Sequence, residues 1–240
     1  MIRRKLIPES LTRRAGQLLA PAMIAAAAVL SAEPVDAAVP LQLVYGVSHS
    51  AFGDLGSFTS TIEPIGNGAI RVLTQEHLEV RMLGVRMYRE DTESTERWQG
   101  NRLISFYDVT NRPGSSAVVR GEARGDSFVI VSPQGTVTAP ATVHSANPCS
   151  PDFLSSTMIL HPDTGSLEQV RITGGEQASV SIDGATIPAR KYEIDGKTRY
   201  TVWVDSHNVP VMFSVDNATG KVTFSLAKCV GCSPPIPDFR

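Results

Sequence analysis

The stretch Arg190–Leu226, RKYEIDGKTRYTVWVDSHNVPVMFSVDNATGKVTFSL, decides the fold class. Apolar residues recur at every second position: Tyr192 and Ile194; Tyr200, Val202 and Val204; Val211, Phe213 and Val215; Val222, Phe224 and Leu226. Period two marks strands with one apolar face. Between the runs stand Asp195-Gly196, Asp205-Ser206-His207-Asn208 and Asp216-Asn217-Ala218-Thr219-Gly220, residue types that accept positive φ or hydrogen-bond their own backbone. The stretch reads as a four-stranded antiparallel meander.

Upstream, the same grammar continues. Leu41 to Phe52 and a strand ending near Ile65 make a hairpin over Gly53-Asp54-Leu55-Gly56, and Gly66-Asn67-Gly68 opens a long segment, Ala69 to Glu96, bent at Gly84. That segment reads as two long strands, with a helical turn as the alternative over Gln75–Glu79. Glu90-Asp91-Thr92-Glu93-Ser94-Thr95-Glu96 reads as a solvated turn or edge rather than a cation site. Strands follow over Leu103–Val109, Ala117–Ala123, Phe128–Val131 and Thr136–Ala139. The pattern breaks between Pro140 and Ser156, which has room for a loop or one short helix. Turns resume at Pro162-Asp163-Thr164-Gly165, Gly174-Gly175 and Asp183-Gly184. The expectation is one all-β domain over residues 38–228: a single strongly curved antiparallel meander sheet or barrel of about ten or more strands, with at most short helical segments. The Cys/Pro-rich tail, 229–240, is expected outside the sheet.

Residues 1–37 read as a signal peptide. Arg3, Arg4, Lys5, Arg13 and Arg14 precede the apolar run Leu18–Leu30, and Val35-Asp36-Ala37 offers small residues at the cleavage spacing. The run is too short for a membrane anchor, which needs roughly 20 apolar residues. General secretion is the expected route, since the residues after Arg13-Arg14 fit twin-arginine export poorly. A soluble periplasmic or secreted protein without a transmembrane segment is expected. Discounting residues 1–37, with five basic and three acidic side chains, moves the net charge from −2 to −4. Such a chain is a poor candidate for nucleic acid.

No catalytic signature emerges. Ser48 lacks a nucleophile-elbow context, Ser225 and Lys228 point to opposite faces of a strand, and His77 with Glu79 reads as a pair of solvent-facing polar residues rather than a deaminase-like metal site. His144, Cys149, Cys229 and Cys232 form a conceivable Cys₃His zinc set, but in an oxidising compartment thiols more often pair with each other. No metal or cofactor is expected. Three cysteines permit one bridge, and Cys149 with Cys229 or Cys232 is the expected pair; a Cys229–Cys232 redox pair is the rival. Trp98, Phe106 and Trp203 are the candidate lining of a ligand cavity, against the alternative that they fill the core. Alternation puts Trp203 opposite Val202 and Val204, marking either a second covered face or a contact surface.

The order of several pieces resembles an uncharacterised family of exported bacterial proteins, domain of unknown function 6134. The pieces are the hairpin with Gly53 and Gly56; Glu96-Arg97-Trp98-Gln99-Gly100-Asn101-Arg102-Leu103; Thr110 and Gly114; Asn147-Pro148; Asp163-Thr164-Gly165-Ser166-Leu167 through Val170; Ala189-Arg190-Lys191-Tyr192; and Trp203-Val204-Asp205. The chain departs from the family pattern at Ser145-Ala146, where an aromatic pair is usual, and at Val204. The resemblance implies kinship with exported curved-sheet proteins, some of which carry or sense lipids. The functional expectation is a non-catalytic carrier or sensor of an apolar, lipid-like ligand in the cell envelope. The alternatives are an interaction module with a filled core, its partner an envelope protein, and an enzyme.

Overall fold

The computed structural model describes residues 39–232, so the expected signal over residues 1–37 lies outside the described residues. Eight strands run first as a meander: β1 (Leu41–His49), β2 (Gly53–Gly66), β3 (Ala69–Met82), β4 (Val85–Gln99), β5 (Arg102–Arg112), β6 (Ser115–Arg124), β7 (Ser127–Ser132) and β8 (Gly135–Pro140). Residues 141–170 then leave the meander and carry β9 (His144–Ser145), a short 3₁₀ turn at Phe153–Ser155, β10 (Met158–Leu160) and β11 (Leu167–Gln169). A second meander closes the chain: β12 (Arg171–Ile182), β13 (Ala185–Asp195), β14 (Arg199–Val204), β15 (Pro210–Asn217) and β16 (Gly220–Val230).

Strand β16 pairs antiparallel with β1, which fuses the two meanders into one 13-stranded sheet running β12-β13-β14-β15-β16-β1-β2 and on to β8. Its hydrogen-bonding edges are β8 and β12. The segment 141–170 links those edges and forms its own sheet, in the order β11-β10-β9. The all-β antiparallel expectation holds. The reading of two long strands from Ala69 holds over Gln75–Glu79, and one local reading, that of residues 90–96, is corrected. Gln75–Glu79 is strand throughout, because Glu76 is paired with Phe58 on one side and Thr92 on the other, and ladders on both sides override any local helical turn. Residues 90–96 are the middle of β4, laddered to β3 throughout and to β5 from Asp91 on, not a solvated turn or edge. At the C-terminal end, β16 continues to Val230, opposite Gln42, so Cys229 belongs to the sheet.

Turn chemistry explains the register. Asn67-Gly68, Leu83-Gly84 and Asp183-Gly184 each place both central residues at positive φ, the backbone that matches strand twist in a two-residue hairpin. The Asp205 carboxylate accepts the His207 and Val209 amides at 2.8 and 2.9 Å, and Asn217 Oδ1 accepts those of Thr219 and Gly220, both at 2.9 Å.

Two apolar clusters lie on the inner face. One joins Leu43, Tyr45, Phe58, Ile194, Val202, Phe213 and Leu226 with Cys149, Phe153 and Ile159 of the inserted segment. The other joins Val72, Trp98, Leu103, Phe106, Phe128 and Ile130 with Val143 and Leu160. The inserted segment thus contributes to both cores and covers the sheet as a helix does in other folds. Gly121 belongs to this packing: a Cβ there would stand 2.3 Å from Cε1 of Phe128.

Candidate functional site

Alternation along β3, β4 and β5 turns an unusual set of side chains inward. Cross-strand register aligns Phe58, Glu76, Thr92 and Thr110 in one row and Ser60, Thr74, Ser94 and Asp108 in the next. Thr74, Thr92, Ser94, Glu96, Asp108 and Thr110 are all buried. A strip of hydroxyls and carboxyls therefore separates the two apolar clusters.

Between strip and core lies a cavity of about 210 Å³. One wall is apolar and largely aromatic, made by Phe58, Tyr200, Phe213, Val215 and Phe224; the facing wall is the polar strip with Glu76 and Glu90. The inserted segment supplies the rest through Ala146-Asn147-Pro148 and His161-Pro162-Asp163. The aromatic wall is rigid: Phe213 and Phe224 stack with centroids 4.3 Å apart, and Phe58 meets both edge-on at 5.7 and 5.6 Å.

Each charged group around the cavity has a distinct environment. Glu96 is buried and accepts four hydrogen bonds: from Trp98 Nε1 at 2.7 Å, from the Ser145 and Ser150 hydroxyls at 2.6 Å each, and from Asn147 Nδ2 at 3.5 Å. Burial raises its pKa, and these four donors work against that rise. Three of the donors come from the inserted segment, so Glu96 pins that segment to the sheet. Arg112 reaches Glu90 and donates to Asp163 Oδ2 at 3.0 Å, tying β4 and β5 to the turn at 163. Burial opposes the guanidinium charge, but its hydrogen bonds to Tyr88, Glu90 and Asp163 outweigh that and raise its pKa. A third tie is Glu168, buried, which contacts His161 Nε2 at 2.6 Å and accepts the Thr198 amide at 2.8 Å.

Glu76 and Asp108 differ. Asp108 Oδ1 accepts from Thr110 Oγ1 at 2.9 Å, but Oδ2 has no partner among the described residues although the residue is fully buried. Burial, then the charges of Glu90, Asp108 and Asp163, pushes Glu76 up to about 8. Burial, with Asp163 and Glu90, pushes Asp108 up to about 7.

None of Trp98, Phe106 and Trp203 lines this cavity. Trp98 and Phe106 are sealed in the second cluster, and Trp203, half-buried, packs from its strand against the first. Of the lining phenylalanines, Phe213 and Phe224 were visible in the sequence as members of the apolar alternation, and Phe58 was not singled out. The carboxyls of β4 were concealed because a run rich in Glu, Asp, Ser and Thr reads as solvent-facing. The cysteine expectation is also corrected: Cys229 and Cys232 are bonded to each other, with Cα atoms 5.9 Å apart, and Cys149 is a free buried thiol. Gly231, at φ 80°, turns the chain so that Cys232 returns to Cys229. Cys149 is held inside, its amide on Asn147 Oδ1 at 3.0 Å and its thiol 3.4 Å from Tyr45 Oη. His77 contacts Asp91 at 2.6 Å while Glu79 holds Arg81 and Arg86, so those two side chains do not converge on a shared site. Among the described residues, no group of three or more His, Cys, Asp or Glu side chains is placed to hold a metal ion.

The profile of the family described as "Domain of unknown function (DUF6134)" matches residues 53–227, most of the chain. The chain belongs to the DUF6134 family. Some residues of the pieces that carried the family resemblance line this cavity, namely Glu96, Thr110, Asn147, Pro148 and Asp163, while others, such as Trp98 and Trp203, lie elsewhere. No curated protein matches the sequence. Among solved structures, this DUF6134 chain is similar to a beta-barrel-like protein of domain of unknown function DUF1849 from Brucella abortus. The identity is 10% and the TM-score 0.60, over 80% of this chain and 97% of that one. The likeness extends to the fold alone.

Proposed function

We propose that the protein is a non-catalytic carrier or sensor of a small amphiphilic molecule, acting in the periplasm or outside the cell. The observation that carries this reading is the cavity itself, with an aromatic wall facing a polar one and an inserted segment completing the enclosure. Its volume, about 210 Å³, exceeds the roughly 150 Å³ of an apolar cavity that accepts benzene, and falls below the usual range for drug-sized ligands. The occupant is thus about one ring or a short chain in size, smaller than the lipid-like ligand the sequence suggested. The envelope location rests on the signal expected over residues 1–37. Extraction of protein purified from its native envelope, followed by mass spectrometry, tests the reading. A small amphiphile retained by the wild type and lost from Phe213→Ala supports it; protein empty in every preparation, and blind to small aromatic probes, rejects it.

A second reading, an interaction module, is favoured by the β3–β4 ribbon. Pairing with β2 ends at Leu78 and pairing with β5 ends at Asp91, so among the described residues the two strands over 79–90 pair only with each other. At the tip, Leu83 is fully exposed, and Met82, Val85 and Met87 are more than half exposed. Leu83 also occupies φ 50°, a conformation that suits Asn or Gly far better than Leu. Leu83→Asn removes the apolar tip while improving the turn. If the ribbon docks on a partner, this variant loses co-purification from envelope extracts at unchanged or higher stability; unchanged co-purification rejects the docking role.

A further inference from the structure

Deepening the carrier reading, and resting on it, we propose that the cavity takes an organic cation: a protonated primary or secondary amine on a compact apolar body, its ammonium against Asp108 and Glu76 and its hydrocarbon against Phe58, Phe213 and Phe224.

The argument starts from which acids are already engaged. Glu90 and Asp163 share Arg112, and Glu96 is enclosed by four donors. Two carboxyls remain. Glu76 accepts no hydrogen bond from any described residue, and Asp108, which also lines the cavity, is fully buried with an Oδ2 that has no partner among the described residues. A buried acceptor without a donor is costly, and a small rotation of the Asp108 side chain towards the cavity it lines would give that oxygen a donor. An anionic ligand would meet the carboxylates of Glu90 and Asp163 beside the cavity and would gain nothing from the deprotonation of Glu76 and Asp108. A divalent cation lacks a ligand set, because no three His, Cys, Asp or Glu side chains converge among the described residues. An ammonium on a hydrocarbon matches both walls, since aromatic faces attract cations and its N–H groups fit the free carboxyl oxygens.

The protonation states agree with this geometry. Glu76, pushed to about 8, and Asp108, pushed to about 7, hold protons near neutrality when the cavity carries no cation. The other titratable groups around it are Glu90 and Glu96 from β4, Arg112 from β5, His161 and Asp163 from the inserted segment, and Tyr200 from β14. Of these, the carboxylates Glu90 and Asp163 raise both values and Arg112 lowers them. An ammonium adds a second positive charge, so its binding releases a proton, and its affinity rises as pH climbs from about 6 towards about 8.

Calorimetric titration with three isosteric probes, benzylamine, benzyl alcohol and benzoate, tests the proposal on the wild type, Asp108→Asn and Glu76→Gln. The expected result is benzylamine binding at least about tenfold tighter than benzyl alcohol, with no benzoate binding. Asp108→Asn should bring benzylamine to the level of benzyl alcohol and leave benzyl alcohol unchanged, and Glu76→Gln should weaken benzylamine in the same sense. Equal affinity for benzylamine and benzyl alcohol, or benzylamine binding that neither variant weakens, overturns the cation while leaving the carrier reading in place. Failure of all three probes overturns both.

Discussion

Asp108→Asn should stabilise the protein, and by an amount that depends on pH. The carboxyl is fully buried, Oδ1 accepts from Thr110 and Oδ2 accepts from no described residue. Burial, with the nearby charges of Asp163 and Glu90, raises its pKa from the usual 3.8 to about 7. Between those values the folded chain holds a proton that the unfolded chain has released, so stability is full below pH 3.8 and is lost as pH rises through about 7. The difference is about three pH units at about 1.4 kcal/mol each, roughly 4 kcal/mol when burial is complete and nearer 2 if water enters the cavity. Asparagine mimics the protonated acid, since its carbonyl can take the Thr110 hydroxyl and its amide occupies the place of Oδ2. Wild type and variant should be equally stable near about pH 3.5 and diverge by about 2–4 kcal/mol in favour of the variant by about pH 8–9. Urea unfolding followed by tryptophan fluorescence across that range measures the gap, with the buried Trp98 as a reporter. A gap that stays flat with pH, or a variant that is less stable than wild type under mildly alkaline conditions, refutes the account of Asp108 as a desolvated, half-satisfied acid.

Glu96→Ala strips the acceptor from Trp98 Nε1, Ser145, Ser150 and Asn147; the two serines, 3.1 Å apart, can partly satisfy each other, leaving about two buried donors unmet. The cost is about 2–6 kcal/mol, and hydrogen exchange should show residues 141–170 losing protection before the sheet does; uniform loss of protection contradicts the pinning role. Cys149, its thiol pushed up to about 12 by burial, should resist thiol reagents until the protein unfolds, and non-reducing peptide mapping should find Cys229 linked to Cys232; a Cys149 peptide linked to either would contradict the structure. Gly121→Ala puts a methyl 2.3 Å from the Phe128 ring and should lower stability by about 1–3 kcal/mol in denaturant titration; a neutral variant would show that the ring can move.

The strands, most of the turns and the apolar face of the C-terminal meander were legible in the sequence. Period-two alternation and positive-φ residues are local properties, and the ladders from Ala185 to Val230 follow them. Alternation names two faces of a strand without saying which one turns inward when both carry polar groups. Asp91 and Glu93 against Thr92, Ser94 and Glu96 is such a case, and only the ladder with β3 and β5 sends the second set into the core. The pairing of β1 with β16, almost the whole domain apart in sequence, is likewise a tertiary choice, made because neither meander alone can cover its apolar face. The stretch from Pro140 to Ser156 read as a loop or one short helix because it lacks alternation. It became the filling of the fold because its backbone and hydroxyls find partners inside, above all on Glu96, and a buried polar segment is stable only where such partners exist.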